Sequence, residues 1–163
     1  MSGLIGFPNP VNEKAARSVA AGVVVLSTIT LVTGWHWLLI LIALGFLARV
    51  ASGPKLSPLG QLATKVIAPR LGEPVLVPGP PKRFAQAIGA TVTSVAAVAS
   101  LALGWHAVGT VALVIMVVFA TLESALGLCV GCKIFSVLMR LGVIPPETCE
   151  ACNDIWSRPT AAV

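Results

Sequence analysis

The sequence predicts an all-α membrane protein: a four-transmembrane-helix bundle built from two parallel-repeat helical hairpins, with short amphipathic helices at one surface. Three observations predict it. The 163 residues are 56% hydrophobic and only 10% charged, against about 25% charged in a soluble domain, too few to cover a water-facing surface. Two long stretches carry no charge, Ser18 to Ala48 and Phe84 to Leu122. Finally, Gly34-Trp35-His36 recurs as Gly104-Trp105-His106, and Arg70-Leu71-Gly72 recurs as Arg140-Leu141-Gly142, both 70 positions later.

The chain opens with Asn9-Pro10, which reads as a helix cap followed by proline at the first helical position. Spans are expected near 13–33, 35–52, 84–103 and 106–128. The second uncharged stretch is long enough to cross a roughly 30 Å hydrocarbon core twice. The first is shorter and crosses twice only if Arg17 and Arg49 snorkel at its ends. One long tilted span per half is the alternative. The glycine and tryptophan at each midpoint favour a hairpin, since tryptophan prefers the membrane–water interface.

Residues 1–71 form the first hairpin repeat, and residues 72–83 a proline-rich linker that cannot be helical. Residues 84–142 form the second repeat, and residues 143–163 a cysteine-containing tail. Lys55 to Leu71 reads as a segment lying along the membrane surface. No cleavable signal is expected, because the first apolar run lacks the usual small-residue cleavage site and is followed by more apolar sequence.

All eleven Lys and Arg fall in the N-terminal, linker and C-terminal regions, and neither Gly-Trp-His turn carries any. With four spans these regions share one face, which positive-inside makes cytoplasmic. The expectation is a multi-pass protein of the cell (inner) membrane with both termini cytoplasmic and the lipid bilayer as its surroundings. The net charge of +5 is then topological. No basic stretch interleaved with aromatics points to nucleic acid. A homo-oligomer is compatible with the sequence.

The four cysteines sit in two CxxC pairs, Cys129/Cys132 and Cys149/Cys152. Cysteines that only pack would be scattered, so their chemistry is in use. One reading is a dithiol or persulfide relay. Another is a closed four-thiolate site for zinc or iron. The bland one is small apolar packing. A reducing cytoplasm argues against permanent disulfides.

A turn at Gly127 and Gly131 would start a helix at Cys132, Lys133 to Leu141, with Lys133 lowering the thiol pKa. Pro145-Pro146 would fold the second pair back, and Glu147, Glu150 and Asp154 make its loop acidic. At the 70-residue offset Leu59 and Leu62 stand where Cys129 and Cys132 do, so the first half reads as scaffold.

Glu123 either accepts protons during thiol chemistry or pairs with Arg49. His36 and His106 either anchor their hairpins or together ligate a metal or haem. Few polar residues (Thr28, Thr30, Thr33, Thr91, Thr93, Ser94 and Ser100) could line a path for a transported sulfur species.

Phe7 to Arg17 (FPNPVNEKAAR) and Ala125 to Phe135 (ALGLCVGCKIF) resemble a family of small, largely actinobacterial membrane proteins catalogued only as a domain of unknown function. The resemblance covers nearly the whole chain, and Leu-Gly-x-Cys-x-Gly-Cys, with Cys129 and Cys132, is its most specific part. It implies thiol or sulfur chemistry beside a thioredoxin-like or sulfurtransferase partner, and it assigns no catalytic residue. From the CxxC pairs and the place of Glu123 before them, Cys129, Cys132, Cys149, Cys152 and Glu123 are the candidate catalytic residues, with the four cysteines as metal ligands in the alternative.

Overall fold

The computed structural model describes residues 6–149 and Cys152. Its order is β1 (Val11–Asn12), α1 (Glu13–Thr33), α2 (Leu38–Ser52), α3 (Pro58–Leu62), a π-helical turn (Ala63–Ile67), α4 (Ala68–Arg70), β2 (Leu76–Val77), α5 (Gly79–Leu101), α6 (His106–Leu126), α7 (Val130–Arg140) and a 3-10 turn (Pro146–Cys149). The architecture is all-α apart from two short strands, which pair antiparallel, Val11 opposite Val77. Among the described residues, three helices, α1, α5 and α6, are long and apolar enough to cross a membrane. The fourth expected span is shorter: α2 has 15 residues, about 22 Å of helix.

Start signals fall differently from expectation. Asn12, not Asn9, caps α1, accepting the Lys14 N–H through its side chain at 3.0 Å. The Asn9 side chain accepts the Gly79 N–H at 3.0 Å, so it caps α5 from 70 residues away. With that donor satisfied, the supposed linker residues Gly79 to Pro81 become the first turn of α5. Proline is tolerated there because first-turn N–H groups have no intrahelical acceptor. The two proline rings preset the dihedral the helix needs.

The two Gly-Trp-His turns share their geometry. Gly34 and Gly104 both have φ +70, a left-handed conformation that favours glycine. His36 N–H donates to Gly34 O at 2.9 Å, and His106 N–H to Gly104 O at 3.0 Å. Packing then crosses between the halves: α1 lies chiefly along α6, and α2 chiefly along α5. The core is built from Val23, Leu39, Ile42, Phe46, Leu113 and Met116 with several alanines of α5 and α6. Small residues let helix backbones approach closely, as membrane helices do. Val32, Val95, Val98 and Val111 point outward, each more than half exposed.

Two arginines tie the same end together. Arg17 Nε donates to Ser124 O at 3.1 Å and Nη2 to Ala125 O at 2.9 Å, satisfying carbonyls left open at the end of α6. Arg83 Nε donates to Val50 O at 3.1 Å, near the end of α2. Each arginine stands near the start of one long helix and holds the end of a helix from the other half.

Candidate functional site

The site begins where α6 stops. Gly127, in the left-handed conformation, receives the end of the helix. The chain turns extended at Cys129 (φ −83, ψ 102), whose sulfur accepts the Cys132 N–H at 3.4 Å and so caps α7. The helix therefore starts at Val130, earlier than the expected start at Cys132, because the first cysteine itself supplies the cap. The first half has the same device: Ser57 (φ −88, ψ 120) accepts the Gly60 N–H at 3.2 Å and caps α3. The structural counterparts of Cys129 and Cys132 are thus Ser57 and Gly60, rather than Leu59 and Leu62.

α7 is held against α5. A Cβ on Gly131 would fall 2.5 Å from Ala85 Cβ and 2.7 Å from its Cα, so only glycine permits this approach. One turn further, Phe135 is buried and meets Phe84 edge to face at 5.5 Å. Cys129 is consequently buried and Cys132 half-buried, both as free thiols.

The charge beside them is Lys82, on the first turns of α5, and not the expected Lys133, which is exposed. Lys82 Nζ lies 2.8 Å from Glu123 Oε1. Glu123 therefore pairs with Lys82 rather than Arg49. Arg49 turns instead to Gln86 Oε1 at 2.8 Å and Ser57 Oγ at 3.2 Å, stacked 4.5 Å over the Phe46 ring. It remains within electrostatic reach of Glu123. Three ionised groups thus crowd one end of the bundle, where burial is costly unless charges are paired.

The two thiols are unequal. A hydrogen bond from the Cys132 thiol holds Cys129 below the ordinary thiol range. Burial and Glu123 oppose that shift and Lys82 assists it. Cys132, as the donor, is pushed far up, with burial adding to the effect. Of the reduced pair, Cys129 is therefore the readier to lose its proton and Cys132 the readier to keep it. Beneath Cys129 opens a crevice of about 90 Å³ that Gln86, Met116, Phe119, Ala120 and Glu123 help to line.

The second pair is joined: Cys149 and Cys152 form a disulfide. The 3-10 turn brings it back toward α7, since Thr148 and Phe135 line one cavity with Phe7 and Phe84. Glu150 and Asp154 of the acidic loop lie outside the described residues. Among the described residues, no three or more His, Cys, Asp or Glu side chains gather as a metal site. Of the four sulfurs considered for a metal centre, two are thus bonded to each other and two are free thiols. Of the hydroxyls considered for a transport path, Thr30 and Thr93 bond back to their own helices, Thr28, Thr33 and Thr91 are exposed, Ser94 is half-buried and Ser100 is buried.

The Domain of unknown function (DUF4395) family matches residues 11–140. The chain belongs to this family. The matched stretch contains Cys129, Cys132, Lys82 and Glu123, and ends before Cys149. No curated protein and no solved structure matches the chain.

His36 and His106 stand apart from the cysteines, at the Gly-Trp-His turns. They were expected either to anchor their hairpins or to ligate a metal or haem together. Their rings meet, with centroids 4.8 Å apart. Lys82 and Gln86 are the residues that sequence reasoning missed. The signal for Lys82 was its place as one of the last two charges before a 39-residue apolar run.

Proposed function

We propose that this DUF4395 member is a membrane-embedded thiol–disulfide relay that serves a cytoplasmic thioredoxin-like or sulfurtransferase partner. One observation carries the reading: a reduced pair with one activated thiol and an oxidised pair fold to the same end of one small bundle. The Cys129 thiolate attacks Sγ of Cys152, the less buried member of the disulfide, and releases Cys149 as thiolate. Cys132 then loses its proton and attacks Cys129 Sγ, closing the Cys129–Cys132 disulfide and releasing Cys152. Two electrons pass from the first pair to the second, which hands them to the partner by the same exchange.

The reading includes four crossings, with α2 as a short fourth span completed by Trp35 and Trp37, and two repeated hairpins. Contact between His36 and His106 supports it, because both turns must then lie at one end. The crosswise packing of α1 on α6 and α2 on α5 is what a twofold along the membrane normal would give. With the basic residues at the opposite end, positive-inside makes the cysteine face and both termini cytoplasmic.

The experiment is a thiol count by mass spectrometry across a glutathione redox series, on protein in sealed vesicles of known sidedness. Two dithiol–disulfide couples that respond together, labelled by an impermeant maleimide from the cytoplasmic face, are the expected result. Cys129 and Cys132 remaining reduced throughout the series would overturn the relay. Labelling confined to the opposite face would overturn the orientation.

A further inference from the structure

At the far end of the bundle from the cysteines, the two Gly-Trp-His turns build a second polar site. His36 Nδ1 lies 2.9 Å from Gly34 O. A carbonyl can only accept, so Nδ1 carries the proton and Nε2 keeps its lone pair. This outer hydrogen bond is the kind that orients metal-ligating histidines. The His106 ring, from the other half of the chain, sits with its centroid 4.8 Å away and tilted by 46°.

The chain packs closely beside the two rings. A Cβ on Gly109, one turn beyond His106, would overlap Ser100 Oγ and come within 3.1 Å of His36 Cδ2, the carbon bonded to Nε2. Ser100 is 1% exposed, and its Oγ has no hydrogen-bond partner among the described residues. A buried orphan hydroxyl costs about 1–3 kcal/mol and calls for a partner such as water or an ion.

We propose that His36 and His106 bind an exchangeable divalent transition-metal cation of the Cu²⁺, Ni²⁺, Zn²⁺ type, with the Ser100 hydroxyl bonding to a metal-bound water. The spacing fits. Metal–nitrogen bonds of about 2.0–2.1 Å, with each ring centroid roughly 1.1 Å beyond its nitrogen, put centroids about 5 Å apart at near-tetrahedral angles. The donor set fits too: imidazoles without carboxylates suit borderline transition metals and not Mg²⁺ or Ca²⁺. All eleven Lys and Arg lie outside these turns, so no basic side chain of the turns competes. Two protein ligands are too few for a closed structural site, so water completes the shell and the ion exchanges. This site is independent of the thiol chemistry.

The test uses the full chain in lipid nanodiscs, carrying no polyhistidine tag, with free thiols blocked by N-ethylmaleimide and the disulfide intact. It is titrated with Cu²⁺ and followed by electron paramagnetic resonance. One ion per chain, with hyperfine structure from two imidazole nitrogens, is expected. His36→Gln and His106→Gln should each weaken binding by about a hundred-fold, and Ser100→Ala by about ten-fold. Circular dichroism on each variant separates loss of binding from loss of fold, and any misfolded glutamine variant is replaced by alanine. No saturable binding, or binding that survives loss of either histidine in a folded variant, overturns the proposal.

Discussion

Separating Lys82 from Glu123 should move stability and reactivity in different patterns. Their 2.8 Å pair is little exposed, at 9% and 17% of the side chains. Glu123→Gln leaves a cation with poor access to water, and Lys82→Met leaves a carboxylate in the same position. Breaking one partner of such a pair costs about 3–5 kcal/mol, whereas removing both charges is often neutral or stabilising. The double variant should therefore lie within about 1 kcal/mol of the parent protein, or above it. Cys129 reports the sign of each charge. Lys82 favours its thiolate and Glu123 disfavours it, so Lys82→Met should slow alkylation of Cys129 at neutral pH and Glu123→Gln should speed it. Denaturant-driven unfolding in detergent measures the stability. Timed iodoacetamide labelling with mass spectrometry measures the reactivity. Two single variants that shift labelling in the same direction would refute the electrostatic account, even if both were destabilised.

Cys129→Ser keeps an oxygen to cap α7, as Ser57 does for α3, so its fold should survive intact while relay activity is lost. Cys129→Ala should lose about 1 kcal/mol more, read by the same unfolding titration. Labelling of Cys129 should reach half its maximal rate at a pH below the ordinary thiol value, because a lowered pKa keeps the thiolate to lower pH. Cys132 should stay unlabelled well above that pH, and both thiols titrating together would contradict the assignment. Gly131→Val drives a side chain into Ala85 on α5. It should cost about 1–3 kcal/mol and expose Cys129 to bulky maleimides, which a gel-shift assay detects.

Much of the fold was legible because it is set locally. The uncharged stretches fixed α1 and the start of α6, since no soluble surface could be made from them. Features decided by tertiary contact were not legible. Asn9 and Asn12 are equally good caps on paper, and only the pairing of Val11–Asn12 with Leu76–Val77 assigns one to α1 and the other to α5. The pairing of Glu123 with Lys82 depends on how α5 crosses α6, which no sequence spacing encodes. The cysteines were visible as a site, but their inequality was not. It arises from one thiol donating to the other at a helix start, where serine is the familiar residue. The crosswise packing, with α1 resting more on α6 than on α2, is likewise a tertiary choice that the apolar pattern of a hairpin does not specify.

The central claim is that the first cysteine pair exchanges with the second. Cys132→Ser tests it most directly, because it removes the thiol that resolves the intermediate. After this variant is purified under non-reducing conditions and acid-quenched, digestion and mass spectrometry should find Cys129 linked to a peptide carrying Cys149 or Cys152. Cys129 recovered as a free thiol, with the Cys149–Cys152 disulfide intact, would contradict the account.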